Sequence, residues 1–236
     1  MAAPPDVEAL LALARSLAGL SVGEIAEALG IAPPPCASSG KGWTGELLER
    51  ALGASAGNDA QPDFPELGVE LKTVPLRGEG MPAESTWVTR VPLEPAAARL
   101  PFEASAVGAK LQHVLWVPIE ARREQWLQRR IGIARLWQPT AEEAAILRRD
   151  YDDLMGMVLA GRVDEIDARL GDALQVRPKG RDRSERARVV GADGHMTWTG
   201  ARGFYLRARF VRRVLDRLSG GRGHFPPPTR GATVGA

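Results

Sequence analysis

The chain has 236 residues, 44% hydrophobic and 25% charged, enough to bury a core in one large domain or two closely joined lobes. No apolar run approaches the roughly 20 residues that span a bilayer. The single cysteine, Cys36, forbids an internal disulfide, and the first residues lack the pattern of a secretory signal, so a reducing cytoplasm is expected. Net charge is +2, but residues 177–236 carry 14 Lys and Arg against 4 Asp and Glu, while the rest carries 17 against 25; this asymmetry fits either nucleic-acid contact or a solvated basic face.

From Asp6 to Leu20, residues Leu10, Leu13, Ala14 and Leu17 recur at helical spacing. Ser21 and Glu24 form a capping box for a second helix, which Gly30 can end. That helix has no Arg, Lys, Asn or Gln, so the pair reads as packing and not as a helix-turn-helix that reaches base edges. A Pro-, Ser- and Gly-rich loop leads to Lys41-Gly42-Trp43-Thr44-Gly45, then to a helix from about Glu46 to Leu52 stopped by Gly53. Val69 to Val74 alternates like a strand, and Ser85 to Val91 is expected to pair with it as a hairpin. Val114 to Ile119 reads as a buried strand. Thr140 and Glu143 cap a long helix to about Leu159, with Leu147, Tyr151, Leu154, Met155 and Val158 on one stripe. Ala173 to Arg177 is expected as a strand and Phe204 to Leu218 as a basic helix. The Gly- and Pro-rich segment 220–236 is expected to be a disordered tail behind a single domain over 1–219. Helices and strands mix throughout, so the class is α/β or α+β with a central mixed sheet.

The chemistry concentrates in Asp63-Phe64-Pro65-Glu66-Leu67-Gly68-Val69-Glu70-Leu71-Lys72. On a strand, Glu70 and Lys72 share one face, and Val69, Leu71 and Thr73 the other. A bend at Pro65 and Gly68 can bring the Asp63 carboxylate back beside Glu70. Two carboxylates suit Mg²⁺, which prefers oxygen ligands and keeps several waters, with the Leu71 carbonyl as a further candidate ligand. A lysine beside them can orient water and offset charge on a pentacovalent phosphate. Taken alone, Glu-x-Lys also fits a solvated edge strand. His113, His195 and His224 have no metal-ligand spacing, no nucleotide phosphate loop is present, and Cys36 has no evident catalytic partner.

The surrounding residues narrow the choice. Lys41-Gly42-Trp43-Thr44-Gly45-Glu46-Leu47-Leu48-Glu49, then Leu52-Gly53-Ala54-Ser55-Ala56-Gly57, precede Leu67-Gly68-Val69-Glu70-Leu71-Lys72-Thr73. Val114-Leu115-Trp116-Val117-Pro118, Gln128-Arg129-Arg130, Leu136-Trp137, Leu174-Gln175-Val176-Arg177-Pro178-Lys179 and Arg202-Gly203-Phe204-Tyr205-Leu206 follow in order. From about Leu10 to Leu218 the chain resembles the MutH family of mismatch-repair endonucleases. The match is poor over Ser184 to Gly200 and in the tail.

The resemblance implies an α/β restriction-endonuclease-like fold, a central mixed sheet flanked by helices, with two lobes around a DNA cleft. It implies catalytic roles for Asp63, Glu70 and Lys72, with Asp63, Glu70 and the Leu71 carbonyl as metal ligands. Glu49 would support Lys72 or a water, and Lys110 would stand near the scissile phosphate. Lys41, Arg177, Pro178, Lys179 and Tyr205 would contact DNA, with Tyr205 and Arg177 sensing adenine methylation. The implied activity is Mg²⁺-dependent nicking of the unmethylated strand 5′ to G at hemimethylated GATC, by a monomer activated by MutL and indirectly by MutS. Two alternatives stay open at this point: a GATC restriction enzyme cutting both strands, and a non-catalytic DNA-binding module.

Overall fold

The computed structural model describes residues 3–35, 42–55, 61–121, 125–179, 186–191 and 193–227. Helices α1 (Val7–Ser16) and α2 (Val22–Ala28) come first, the latter opened by the expected Ser21–Glu24 capping box. Helix α3 (Trp43–Leu52) starts three residues earlier than expected and ends on Gly53 in the left-handed conformation. Strand β1 (Glu70–Leu76) is followed by β2 (Thr86–Arg90), the short α4 (Pro95–Ala98), α5 (Ala106–Leu111) and β3 (Val114–Glu120). Then come β4 (Arg135–Trp137), α6 (Ala141–Leu159), β5 (Leu174–Pro178), β6 (Arg186–Val190), β7 (Met196–Gly200), β8 (Arg202–Leu206) and α7 (Ala208–Ser219).

The strands form two three-stranded sheets, β1-β3-β4 and β2-β8-β5, and a separate hairpin, β6-β7. Together with the flanking helices they make the expected mixed α/β fold.

Two expectations fail, one in strand pairing and one in element type. β1 does not pair with β2; it lies parallel to β3, Glu70 opposite Val114 and Leu76 opposite Glu120. The reason is burial on both faces. Val69 and Leu71 enter one core with Leu115, Val117 and α1–α3, whereas Val74 and Leu76 enter another with Val114, Trp116, α6 and α7. A strand covered on both faces suits parallel pairing with the buried β3 and not an exposed hairpin, although β1 is the edge of this mixed sheet. β2 pairs instead with β8. The second failure is Phe204–Leu206, which is strand and not helix: Phe204 and Leu206 are fully buried on alternate positions, a period of two, and the helix begins only at Ala208.

The tail also departs from expectation over its first residues. Gly220 ends α7, and the chain then returns to the body. Ile133 N–H donates to the His224 carbonyl at 2.8 Å, and Phe225 packs against the larger core. Arg135 also donates to the Gly223 carbonyl at 3.4 Å, so several contacts hold a segment whose composition suggests a disordered tail. Residues 228–236 lie outside the described part.

Candidate active site

The site is built where β1 begins. Asp63 precedes a single 3-10 turn, Pro65–Leu67, closed by Gly68 at φ 62°, a conformation glycine adopts without the Cβ penalty. Phe64 and Val69 bridge across this turn. The turn folds Asp63 back onto the strand, so its Oδ2 accepts a 2.8 Å hydrogen bond from the Leu71 amide. The turn therefore returns the Asp63 carboxylate to β1, at the residue that follows Glu70.

Glu70 is only 1% exposed. Its Oε1 accepts from the Lys72 ammonium, and both carboxylate oxygens accept from Lys110 Nζ at 3.1 Å. Lys110 reaches it from α5, whose N-cap Ser105 accepts from Gly108 N–H. Two cations thus compensate one buried anion, the condition for burying a carboxylate at tolerable cost.

Burial pushes the Asp63 carboxyl above its ordinary value, and the nearby Glu70 carboxylate adds to that. Lys72, the Leu71 amide and Lys110 act in the opposite direction. Glu49, in the last turn of α3, is raised by burial first and by Asp63 second, then by Glu46, with Lys72 opposing and Glu70 adding. The acids at 49, 63 and 70 therefore lie within electrostatic reach of one another. The structure brings Asp63, Glu70, Lys72, Lys110 and Glu49 together. Leu71 is on the strand between the charged pair, its side chain in the opposite core.

Among the described residues no three His, Cys, Asp or Glu side chains gather into a metal cage. A two-carboxylate donor set still suits Mg²⁺, which binds through one or two carboxylates and fills its remaining positions with water and phosphate. The Asp63 and Glu70 carboxylates are close enough for the charge of Glu70 to raise the pKa of Asp63, though burial is the larger cause there.

The second cluster lies on the other sheet. Tyr205 of β8 is opposite Trp87 of β2 and Gln175 of β5, so the three share a row across the sheet. The Trp87 and Tyr205 rings meet edge to face at 5.1 Å. Arg177 places its guanidinium 5.9 Å from the Tyr205 ring centre, and Lys179 its ammonium 3.2 Å from that of Trp87. Pro178, exposed, ends β5 opposite Arg202. Arg177, Pro178, Lys179 and Tyr205 are thus assembled on one edge; Lys41 lies outside the described residues. Gly203 makes the arrangement possible: a Cβ there would come within 1.9 Å of the Trp87 ring.

Trp87 is the residue that the sequence does not announce. Its one signal is a large aromatic amid Ser85, Thr86 and Thr89 on a strand whose partner is far away in sequence. Asp150 is also concealed. It is 1% exposed on the apolar stripe of α6, and its Oδ2 accepts from the amides of Asp172, Ala173 and Leu174 at 2.7, 2.6 and 3.0 Å. It fixes where β5 starts, and so where Arg177 and Lys179 end up.

A family profile described as "DNA mismatch repair enzyme MutH" matches residues 52–150. Over 214 residues the chain is 45% identical to the DNA mismatch repair protein MutH of Haemophilus influenzae (strain PittGG), covering 90% of this chain and 96% of that one. The chain belongs to the MutH family. The MutH of Serratia proteamaculans (strain 568) is 43% identical over 215 residues, 91% and 94% of the two chains. That of Shewanella woodyi is 40% identical over 218 residues, 92% and 94%. As a MutH-family protein it is a DNA endonuclease of mismatch repair, which sets aside the non-catalytic alternative. Among the described residues no helix is long and apolar enough to cross a membrane.

Proposed function

We propose that this endonuclease nicks the unmethylated strand 5′ to G at hemimethylated GATC sites, with Mg²⁺ held by Asp63, Glu70 and the Leu71 carbonyl. The observation that carries the reading is the convergence of the Asp63 and Glu70 carboxylates with Lys72 and Lys110 at the start of β1. Bound there, Mg²⁺ would neutralise phosphate charge and lower the pKa of a water.

Lys72 stands at the partly exposed rim of the site. Turned from Glu70 toward a phosphate, it would orient the attacking water and stabilise charge on the pentacovalent state. Lys110, more deeply buried, would hold Glu70 in place and keep positive charge near the scissile phosphate. Glu49 would position Lys72 or the water, consistent with the opposing electrostatic effects that it feels from Lys72 and Asp63.

Base reading falls to the Arg177, Pro178, Lys179 and Tyr205 edge, with Lys41 contacting a phosphate. Burial raises the Tyr205 phenol above its ordinary value, with Arg177 opposing, so it keeps its proton near neutral pH. A neutral phenol beside a guanidinium can accept an adenine N6 hydrogen and clash with an N6 methyl. Each chain carries one set of catalytic groups, so a monomer would make one cut per encounter. With no nucleotide phosphate loop of its own, the chain would take its timing from MutL, loaded in turn by MutS, in the cytoplasm at the nucleoid.

The restriction-enzyme alternative is separated by one assay, a plasmid with one GATC site, hemimethylated or unmethylated, with and without MutL. Nicks confined to the unmethylated strand and stimulated by MutL support this reading. MutL-independent cleavage of both strands of unmethylated DNA would refute it.

A further inference from the structure

In sequence between β5 and β8 stands the β6–β7 hairpin. Its two faces differ in kind. Inward, Val189 is 2% exposed and joins the larger core with Ala187. Thr199, also inward, donates to Asp164 Oδ1 at 2.7 Å, and the same oxygen accepts from Arg202 at 2.7 Å. The base is closed by Lys179 N–H donating to the Ala201 carbonyl at 2.7 Å. The hairpin is therefore fixed against the body and fixed to the base-reading edge.

Outward, the pairing puts Arg188 opposite Trp198, Val190 opposite Met196 and Arg186 opposite Gly200. Strand alternation sets Arg186, Arg188, Met196 and Trp198 on this one face. Trp198 is 58% exposed and Met196 45% exposed, and both arginines are exposed. Trp198 thus lies opposite Arg188, a large aromatic beside a guanidinium with both open to solvent.

We propose that this outer face is an arm that rides on duplex DNA beside the recognition site, Arg186 and Arg188 on phosphates and Trp198 packed on the backbone sugars. The proposal rests on the reading that Arg177, Lys179 and Tyr205 face DNA. Two observations favour DNA over a second copy of the chain. The arm is continuous with the base-reading edge through Lys179 and Arg202, and among the described residues its outer face carries Arg186 and Arg188 and no acidic side chain. A two-fold contact of this face with itself would set arginines against arginines. Arginine contacts to phosphate position a protein without reading sequence, which suits a surface flanking the specific site.

The test is binding without Mg²⁺ by the full chain to four duplexes: GATC or scrambled at the centre, each either short or extended by about one helical turn (about 10 base pairs) on both sides. The wild type should bind the extended duplexes more tightly than the short ones. Arg186→Glu with Arg188→Glu should erase that length advantage and lower the slope of log affinity against log salt by about 2. Its preference for GATC over scrambled DNA should not change. Trp198→Ala should reduce the length advantage in part. If the charge-reversed protein fails to fold, Arg186→Gln with Arg188→Gln gives the same readout. No length advantage in the wild type, or one that survives the double change, would overturn the arm. So would dimerisation that Trp198→Ala abolishes while the length advantage persists. Loss of the GATC preference in the wild type would instead indict the base-reading edge, a separately visible failure.

Discussion

Asp63 and Leu71 are joined across the turn at Gly68, carboxylate Oδ2 to amide at 2.8 Å. One side chain therefore both closes the turn and faces the Glu70 cluster, and two substitutions separate these tasks. Asp63→Asn keeps an oxygen to accept the Leu71 amide but removes the charge; Asp63→Ala removes both. Both should lower the cleavage rate by at least about 10²-fold. Only the alanine should also destabilise the fold, by about 1–3 kcal/mol for a lost acceptor. Denaturant unfolding alongside a nicking assay distinguishes them, and equal stability of the two variants would show that the turn does not depend on this hydrogen bond.

The raised Asp63 and Glu49 carboxyls make a prediction of definite sign. A carboxyl whose pKa folding has raised holds its proton longer in the folded state than in the unfolded one. Its penalty is absent below the ordinary carboxylate range (about 4) and grows as pH climbs from there through the raised value. At neutral pH, Asp63→Asn should therefore melt at a higher temperature than the wild type, with the difference shrinking as pH falls toward 4. Mg²⁺ should stabilise the wild type and much less the variant, because a cation bound only by the folded site adds stability by mass action. A thermal-melt series over pH, with and without Mg²⁺, reads both effects.

Trp87 is expected to hold Lys179 in its reading position. Trp87→Ala should cost about 0.5–2 kcal/mol of preference for GATC over scrambled DNA, the range of a cation–π contact. Lys179→Ala should cost about 1–3 kcal/mol if the ammonium touches a base. The two should be less than additive, since the tryptophan would act through the lysine. Full additivity would mean that Trp87 contributes separately. Gly203→Ala should be destabilising by about 1–3 kcal/mol through overpacking against the same ring, and Trp87→Ala should relieve that cost in the double variant.

Asp150→Ala should be among the more damaging changes outside the active site. It leaves three amides of the β5 approach without an acceptor, and an unsatisfied buried donor costs about 1–3 kcal/mol. Folding stability should fall, and GATC preference should fall with it in whatever remains folded, because β5 carries Arg177 and leads directly into Lys179.

Much of this architecture is legible in sequence where the signal is local. The capping boxes at Ser21 and Thr140, the left-handed stop at Gly53 and the bend at Gly68 each depend on a few neighbouring residues, and each stands where expected. Pairing is not local. Whether β2 lies beside β1 or β8 depends on residues more than a hundred positions away, and hairpin logic chooses the nearer partner. Phe204 to Leu206 is too short for periodicity to decide against the basic helix that follows. The proposed catalytic group is visible through Glu70 and Lys72 on one strand face, but Trp87 and Asp150 touch residues distant in the chain, and only the fold reveals them.

The most direct test is cleavage of one duplex bearing a single hemimethylated GATC, each strand separately labelled, with Mg²⁺ present or chelated. The account predicts a Mg²⁺-dependent break in the unmethylated strand alone, 5′ to the G, absent from Asp63→Asn. Cleavage that persists in that variant, or that falls equally on both strands, would contradict it.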